Sequence, residues 1–296
     1  MVQWERMATM APSVALTRLL LAHESAEAAA RAIDDALECT PDAGDEHQQL
    51  LAMRELLRAN RERCEWITQV RRTGLDTADG AASADDVIRR CEQLFDWAVE
   101  QSEEGSVAAY TLGDARLFEQ ATAEVVAELA LLGVLGRDRD TLEIGCGVGR
   151  MQGALASLVR AAHGVDISAR MIAAARRRCA GLPNVHFEQT SGRDLAALGT
   201  HRFHLVYAID SFPYIQRAGW AAVEHCMAEI ARVLTPGGDV VIFNFSYRGD
   251  LEADRRDVTT LARACGFDVL VNGEARLRTW DGVLFHLRRA PPSPLG

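Results

Sequence analysis

Between Val14 and Glu103 the apolar residues recur at spacings of three and four. Leu50, Leu51, Leu56, Leu57, Cys64, Ile67 and Val70 mark one stripe, and Arg54, Glu55, Arg61, Glu62 and Arg63 fall largely on the opposite face. That period belongs to helix. Glycine occurs in this stretch only at Gly44, Gly74 and Gly80. Breaks at Thr40-Pro41-Asp42-Ala43-Gly44 and at Thr73 to Ala84 divide it into at least three helices, expected near Val14–Glu38, Glu46–Arg71 and Asp85–Gln101. Ser83 or Asp85 is the expected cap of the third.

From residue 105 onward the period changes. Short apolar runs (TLEIG, HGVDI, NVHFEQ, FHLVYAI, DVVIFNF, FDVLV and GVLFHL) alternate with amphipathic segments at Met151–Ala161, Ala169–Cys179, Trp220–Leu234 and Asp257–Cys265. Strands alternating with helices predict an α/β fold, a doubly wound and mostly parallel seven-stranded sheet covered on both faces. The last two runs have no helix between them, which predicts an antiparallel pair at one end of the sheet. The expected division is thus a helical N-terminal domain over 1–104 and an α/β domain over 105–296. No internal repeat is present, and the tail Pro291-Pro292-Ser293-Pro294 is expected to be disordered.

Composition narrows the function. A chain of 296 residues with 48% hydrophobic content holds one large core or two smaller ones. Residues 1–104 carry 21 acidic residues against 11 arginines, a net of −10, whereas 105–296 carry 21 of each. An acidic first third and a neutral remainder give no basic footprint for a nucleic-acid backbone. No run reaches the ~20 apolar residues of a membrane span, Arg18 interrupts the longest early one, and no small-residue cleavage site follows, so a cytoplasmic protein without a membrane role is expected. The seven cysteines form no C-x-x-C pair, which argues against a disulfide scaffold or zinc site and for buried thiols. Lysine is absent, which excludes a G-x-x-x-x-G-K-[ST] phosphate loop.

The chemistry centres on residues 141–150, TLEIGCGVGR. The loop from the first strand to the first helix of the sheet is where open α/β sheets bind ligands, with glycines allowing close approach and a helix N-terminus offering N–H donors. Its glycines, Gly145, Gly147 and Gly149, read G-x-G-x-G rather than the G-x-G-x-x-G of dinucleotide loops. Residues 142–149, hydrophobic, Glu143, hydrophobic, then G-x-G-x-G, resemble the first motif of class I S-adenosylmethionine-dependent methyltransferases, whose fold is Rossmann-like. Asp166 ends the second strand 21 residues after Gly145, and Leu234-Thr235-Pro236-Gly237-Gly238 resembles the family's turn before strand five. The resemblance spans roughly residues 108–290. It implies S-adenosylmethionine as cofactor and S-adenosylhomocysteine as product. It further implies that Glu143 faces the ligand's ammonium, that Asp166 accepts the ribose hydroxyls, and that Ile167 and Met171 sandwich the adenine. Ser191 and Gly192 stand where the family often has Gly-Asp-Ala, and Cys146, Arg193 and Ile209 complete the implied cofactor set. No metal is implied.

Acceptor-facing groups are expected after strands four and five. Asp210 is the first candidate to orient or deprotonate an acceptor, against capping of the turn that follows it. Tyr214 and Tyr247 are candidates beside it, and Tyr110 resembles an aromatic that closes over the sulfonium, where a ring face attracts a cation. Asn244, Ser246 and Arg248 offer further polar groups, Arg248 as a holder of a substrate carboxylate. His286 is expected to pack. The leading expectation is methylation of a small metabolite on oxygen or nitrogen, the N-terminal helices serving as lid or homodimer contact. A peptide or protein acceptor docked on those acidic helices, and an inactive cofactor-binding partner subunit, are the alternatives.

Overall fold

A computed structural model describes residues 9–41, 44–73 and 83–290. The predicted disordered tail and most of the Thr73 to Ala84 break lie outside these. The chain forms two compact units, neither continuous in sequence: a helical unit of Met1–Thr77, Gln93–Glu124 and Leu277–Asp281, and a sheet unit of Ala78–Glu92, Val125–Arg276 and Gly282–Gly296. The expected boundary between 104 and 105 is therefore replaced. Periodicity shows which residues are helical, not which core each turn packs into.

In the helical unit, α1 (Pro12–Ala22), α2 (Ala26–Cys39), α3 (Asp45–Ala59) and α4 (Arg61–Gln69) enclose a core that includes Leu16, Leu20, Ile33, Leu50, Met53 and Ile67. Each such side chain taken fully out of water contributes roughly 1.5–3 kcal/mol. The predicted Val14–Glu38 helix is two helices. Ser25 between them is extended, and its hydroxyl accepts the Ala28 N–H at 3.1 Å, a cap that apolar spacing does not reveal. The predicted Glu46–Arg71 helix likewise breaks at Asn60, whose side-chain amide donates to Leu56 O at 3.1 Å. The later part of α5 (Ala84–Gln101), then α6 (Glu103–Val107) and the first turns of α7 (Ala115–Leu131) complete the unit. Leu277–Asp281 is fastened to it by Glu124, which accepts the N–H groups of Arg278 at 2.7 Å and Thr279 at 2.9 Å, and by an Arg18–Asp281 ion pair.

The sheet unit has seven strands in the order β3-β2-β1-β4-β5-β7-β6. β1 (Asp140–Ile144), β2 (Ala161–Asp166), β3 (Val185–Gln189), β4 (Phe203–Ile209) and β5 (Leu234–Phe243) are parallel, while β6 (Phe267–Ala275) and β7 (Val283–Arg289) form the predicted antiparallel pair, with β7 also antiparallel to β5. Each predicted apolar run is a strand. The Leu234-to-Gly238 turn is instead the irregular start of β5: the register slips between Phe203 opposite Leu234 and Leu205 opposite Asp239. α8 (Arg150–Leu155), α9 (Ala169–Arg178), α10 (Phe212–Arg217), α11 (Trp220–Val233) and α12 (Leu251–Cys265) connect the strands. α8 stops earlier than predicted because Ala161 already pairs with Asp140 in β2. α12 starts earlier than predicted because Asp250 caps it, accepting the Ala253 N–H at 2.9 Å. Phe203, Val206, Phe212, Ile230, Ile242 and Phe285 belong to the core.

At the start of β5, buried Asp239 ties the antiparallel edge to the parallel sheet. It accepts from His286 Nε2 and Arg288 Nε, each at 2.9 Å, and Arg139 lies at 3.5 Å. Burial opposes its ionisation, but these partners outweigh burial and hold the carboxyl below its usual range. His286 is thus the packed histidine the sequence suggested. Among the described residues no helix is long and apolar enough to cross a membrane.

Candidate functional site

The strand order reverses between β1 and β4, so the carboxyl ends of β1, β2 and β4 border the crevice where sheets of this kind bind ligands. Gly145, Gly147 and Gly149 all have left-handed backbones, with φ of 73°, 52° and 73°. Two of them are also required by internal packing. A Cβ on Gly145 would lie 2.5 Å from Ser211 Cβ, and one on Gly149 would lie 2.7 Å from Phe187 Cζ. The loop amides are equally engaged: Gly145 and Cys146 donate to Val165 O at 2.8 and 3.0 Å, and Gly149 donates to Cys146 O at 3.0 Å. These three amides are therefore closed to a ligand. The loop's tight curvature consumes them, and the Cys146 side chain turns inward to the space left by Gly164, its thiol pushed well up by burial.

What the loop does is set Asp166. Gly147 N–H donates to Asp166 Oδ2 and Ser168 N–H donates to Oδ1, both at 2.9 Å. Asp166 as a residue is 9% exposed. Two N–H donors, one on each oxygen, thus aim the carboxylate at the ends of β1 and β2. The fixed orientation removes the rotamer entropy a diol would otherwise have to overcome.

Glu143, in β1, is only 3% exposed. Gln152 Nε2 donates to its Oε2 at 2.8 Å, and the Tyr207 hydroxyl also hydrogen-bonds it. Burial raises the carboxyl to about 8, against the opposing influence of Gln152 and Arg150. The Tyr207 phenol is pushed well up by burial and then by the Glu143 charge. Gln152 and Tyr207 were not singled out from the sequence. Gln152 looks like any polar residue of an amphipathic helix, and Tyr207 like any apolar strand position. Deprotonated, as a cation beside it would favour, a buried carboxyl of this kind suits the cationic end of a ligand and opposes a pyrophosphate.

On the side of β3, Ile167 and Gly192 approach closely, since a Cβ on Gly192 would lie 2.7 Å from Ile167 Cγ2 and 3.2 Å from Ile88 Cγ2. Ser191 Oγ accepts the Arg193 N–H at 3.3 Å and stays exposed. Two expectations change here. Met171 is packed inside at 1% exposure and presents almost no surface to an adenine. Arg193 is turned to Asp85 of α5, Nε to Oδ1 at 2.9 Å, instead of toward the crevice. Ile88 and Asp85, on the first turns of α5, were invisible as site neighbours because they lie about a hundred residues upstream.

At the ends of β4 and β5 the structure brings Asp210, Tyr214 and Tyr247 together. The Tyr247 hydroxyl hydrogen-bonds both Asp210 and Tyr214, and the two tyrosine rings meet edge to face at 5.8 Å. Tyr247 as a whole is 48% exposed, yet its enclosed hydroxyl and the adjacent Asp210 charge push the phenol well up. The Arg217 guanidinium lies 5.4 Å from the Tyr214 ring and 6.0 Å from the Tyr247 ring. Asp210 does not cap α10, for Asn244 Nδ2 donates to its Oδ1 at 3.0 Å. Ser211 instead braces the end of β1, donating to Ile144 O at 2.5 Å. Ile209 is buried beside them. Arg248 is committed to Asp254 at 2.6 Å and Asp257 at 2.7 Å, which removes it as a holder of a substrate carboxylate. Tyr110 is a buried residue of the helical unit, its ring stacked on Trp280 at 5.3 Å and 7°. It borders a cavity of about 460 Å³ with Thr111, Leu117, Ala121, Arg278 and Thr279.

Residues 141–238, from β1 into the start of β5, match the family model described as a methyltransferase domain. The sheet unit has the class I methyltransferase fold. Over 121 residues the chain is 30% identical to the demethylmenaquinone methyltransferases of Tropheryma whipplei strains Twist and TW08/27, a match covering 41% of this chain and 47% of the relative. The chain thus spans about half the length of the curated relatives it matches. Phosphoethanolamine N-methyltransferase 1 of Haemonchus contortus, solved with phosphoethanolamine and S-adenosylhomocysteine, superposes with a TM-score of 0.56 at 15% identity over 73% of this chain and 52% of that one. Magnesium protoporphyrin IX methyltransferase of Synechocystis PCC 6803 with bound S-adenosylmethionine gives 0.52 at 20% identity over 71% and 99%. These structures establish the fold of the methyltransferase domain, and within it Glu143, the three glycines and Asp166 occupy the ends of β1 and β2.

Proposed function

We propose that the chain transfers a methyl group from S-adenosylmethionine to an oxygen or nitrogen atom of a small molecule. The reading rests above all on Asp166, a carboxylate aimed by Gly147 and Ser168 at the end of β2, where it would accept a ribose diol. Glu143 would face the amino-acid end, and Ile167 with Gly192 would border the adenine. Bound there, S-adenosylmethionine supplies a carbon activated by its sulfonium. The protein's part is to hold an acceptor in line, an effect worth up to about 7–11 kcal/mol when alignment is good. Asp210 would orient the acceptor's O–H or N–H or take its proton, and Tyr214 and Tyr247 would form the wall beside it. The small-molecule acceptor finds support in the relatives, the demethylmenaquinone methyltransferases among them.

Calorimetry with S-adenosylhomocysteine tests the ribose assignment. Asp166→Ala is expected to abolish binding while circular dichroism stays that of the parent, and undiminished affinity in that variant would refute the placement. Incubating the protein with methyl-labelled S-adenosylmethionine and a small-molecule extract should transfer label to a low-molecular-weight product. Label found only on protein would favour a peptide acceptor.

A further inference from the structure

Asp210 and Asn244 end neighbouring parallel strands, and both have left-handed backbones, with φ of 60° and 63°. Neither is glycine, so each position carries strain that its surroundings must offset. Asp210 N–H donates to Phe243 O at 3.0 Å, which pulls the end of β4 onto β5. Asn244 is bound on the other side to β7: its N–H donates to Val283 O at 2.8 Å, and its Oδ1 accepts the Val283 N–H at 2.9 Å. That second bond fixes the orientation of the amide. Only an acceptor can face the Val283 N–H, so Nδ2 must face Asp210, where it lies 3.0 Å from Oδ1.

We infer that Asn244 is a positioning residue for Asp210, its amide keyed by β7 so that a neutral donor locks one carboxylate oxygen at the acceptor end of the site. The role of Asp210 in methyl transfer rests on the proposed function; the way Asp210 is held does not. A donor on one oxygen stabilises the carboxylate form and stops the group from rotating, while adding no charge to compete with an acceptor for it. Groups around Asp210 include the Tyr247 hydroxyl, which also hydrogen-bonds Tyr214, and beyond it Arg217, which lies over both tyrosine rings. Arg248, in the same loop as Tyr247, is engaged by Asp254 and Asp257.

The test is a pH titration of the Asp210 carboxyl in the full chain, by carbon NMR on protein labelled at the aspartate carboxyl carbon. Asp210→Asn identifies the resonance by removing it. Asn244→Asp preserves shape and can still accept from Val283, but it replaces the donor by a second carboxylate. The Asp210 midpoint is expected to rise by about one unit or more, as part of a coupled two-step titration. Asn244→Gly, which suits the positive φ, deletes the donor and should raise the midpoint by a smaller amount. An unchanged midpoint in both variants overturns the inference. If Asn244→Asp does not fold, the glycine variant decides by the same criterion. Calorimetry with S-adenosylhomocysteine on the wild-type sample separates the two ideas: absence of binding would sink the methyl-transfer reading and leave the titration fully interpretable.

Discussion

A carboxyl group held at about 8 inside a protein carries a pH signature, and at Glu143 its sign can be worked out. The folded value lies above the ordinary 4.5, so as pH rises the unfolded chain loses this proton first. The contribution of this one group to stability is therefore full below pH 4.5, falls between about 4.5 and about 8, and levels off above. Glu143→Gln keeps the shape and the Gln152 contact but has no proton to lose. Its melting temperature should exceed that of the parent by an amount that grows from pH 5 to pH 8, equivalent at pH 7 to on the order of 3 kcal/mol. The same variant should bind S-adenosylmethionine more weakly. A variant no more stable than the parent at pH 8 would show that Glu143 is better solvated than its 3% exposure implies.

At the scale of elements, the β1–α8 loop shows what could and could not be read in advance. The G-x-G-x-G spacing marked the loop, its strand and its helix, because positive φ at alternate residues leaves a sequence trace. The destination of the amides left none. That Gly145 faces Ser211, and Gly149 faces Phe187, depends on segments 66 and 38 residues away. The seven strands were legible as short apolar runs, most fully in β4 and β5, which are buried along most of their length, and least in the edge strands β3 and β6, which are partly exposed. The breaks at Ser25 and Asn60 were not, since a capping side chain looks like any other polar residue of a helix. Gly149→Ala would meet both a left-handed φ of 73° and the Phe187 ring at 2.7 Å. A loss of about 1–3 kcal/mol is expected in urea denaturation, from strain and overpacking together. A smaller loss would mean that the Phe187 ring moves aside.

For the whole molecule, the seven strands and the helical character of the first third were legible in the sequence, while α7, the helix breaks and the interleaving of the two units were not. Helices came first and strands second along the chain, so one boundary looked sufficient; the fold uses five. Each unit also has its own polar clamp. In the sheet unit it is Asp239, whose depressed carboxyl contributes stability that is present above its unfolded value of 3.8 and lost as pH falls through the folded value below it. Asp239→Asn should cost about 3 kcal/mol at pH 7, because His286 and the arginines lose their charged partner, and the cost should shrink in acid. Equal destabilisation at pH 7 and pH 3 would assign the loss to packing alone.

In the helical unit the clamp is Leu277–Asp281, where Trp280 lies against Tyr110 and Glu124 grips two consecutive amides. These five residues follow every other part of that unit in chain order. During synthesis the ribosome therefore releases the unit's final piece only after nearly all of the sheet unit's sequence has been made. Throughout that interval the face of Tyr110 that Trp280 covers stays bare.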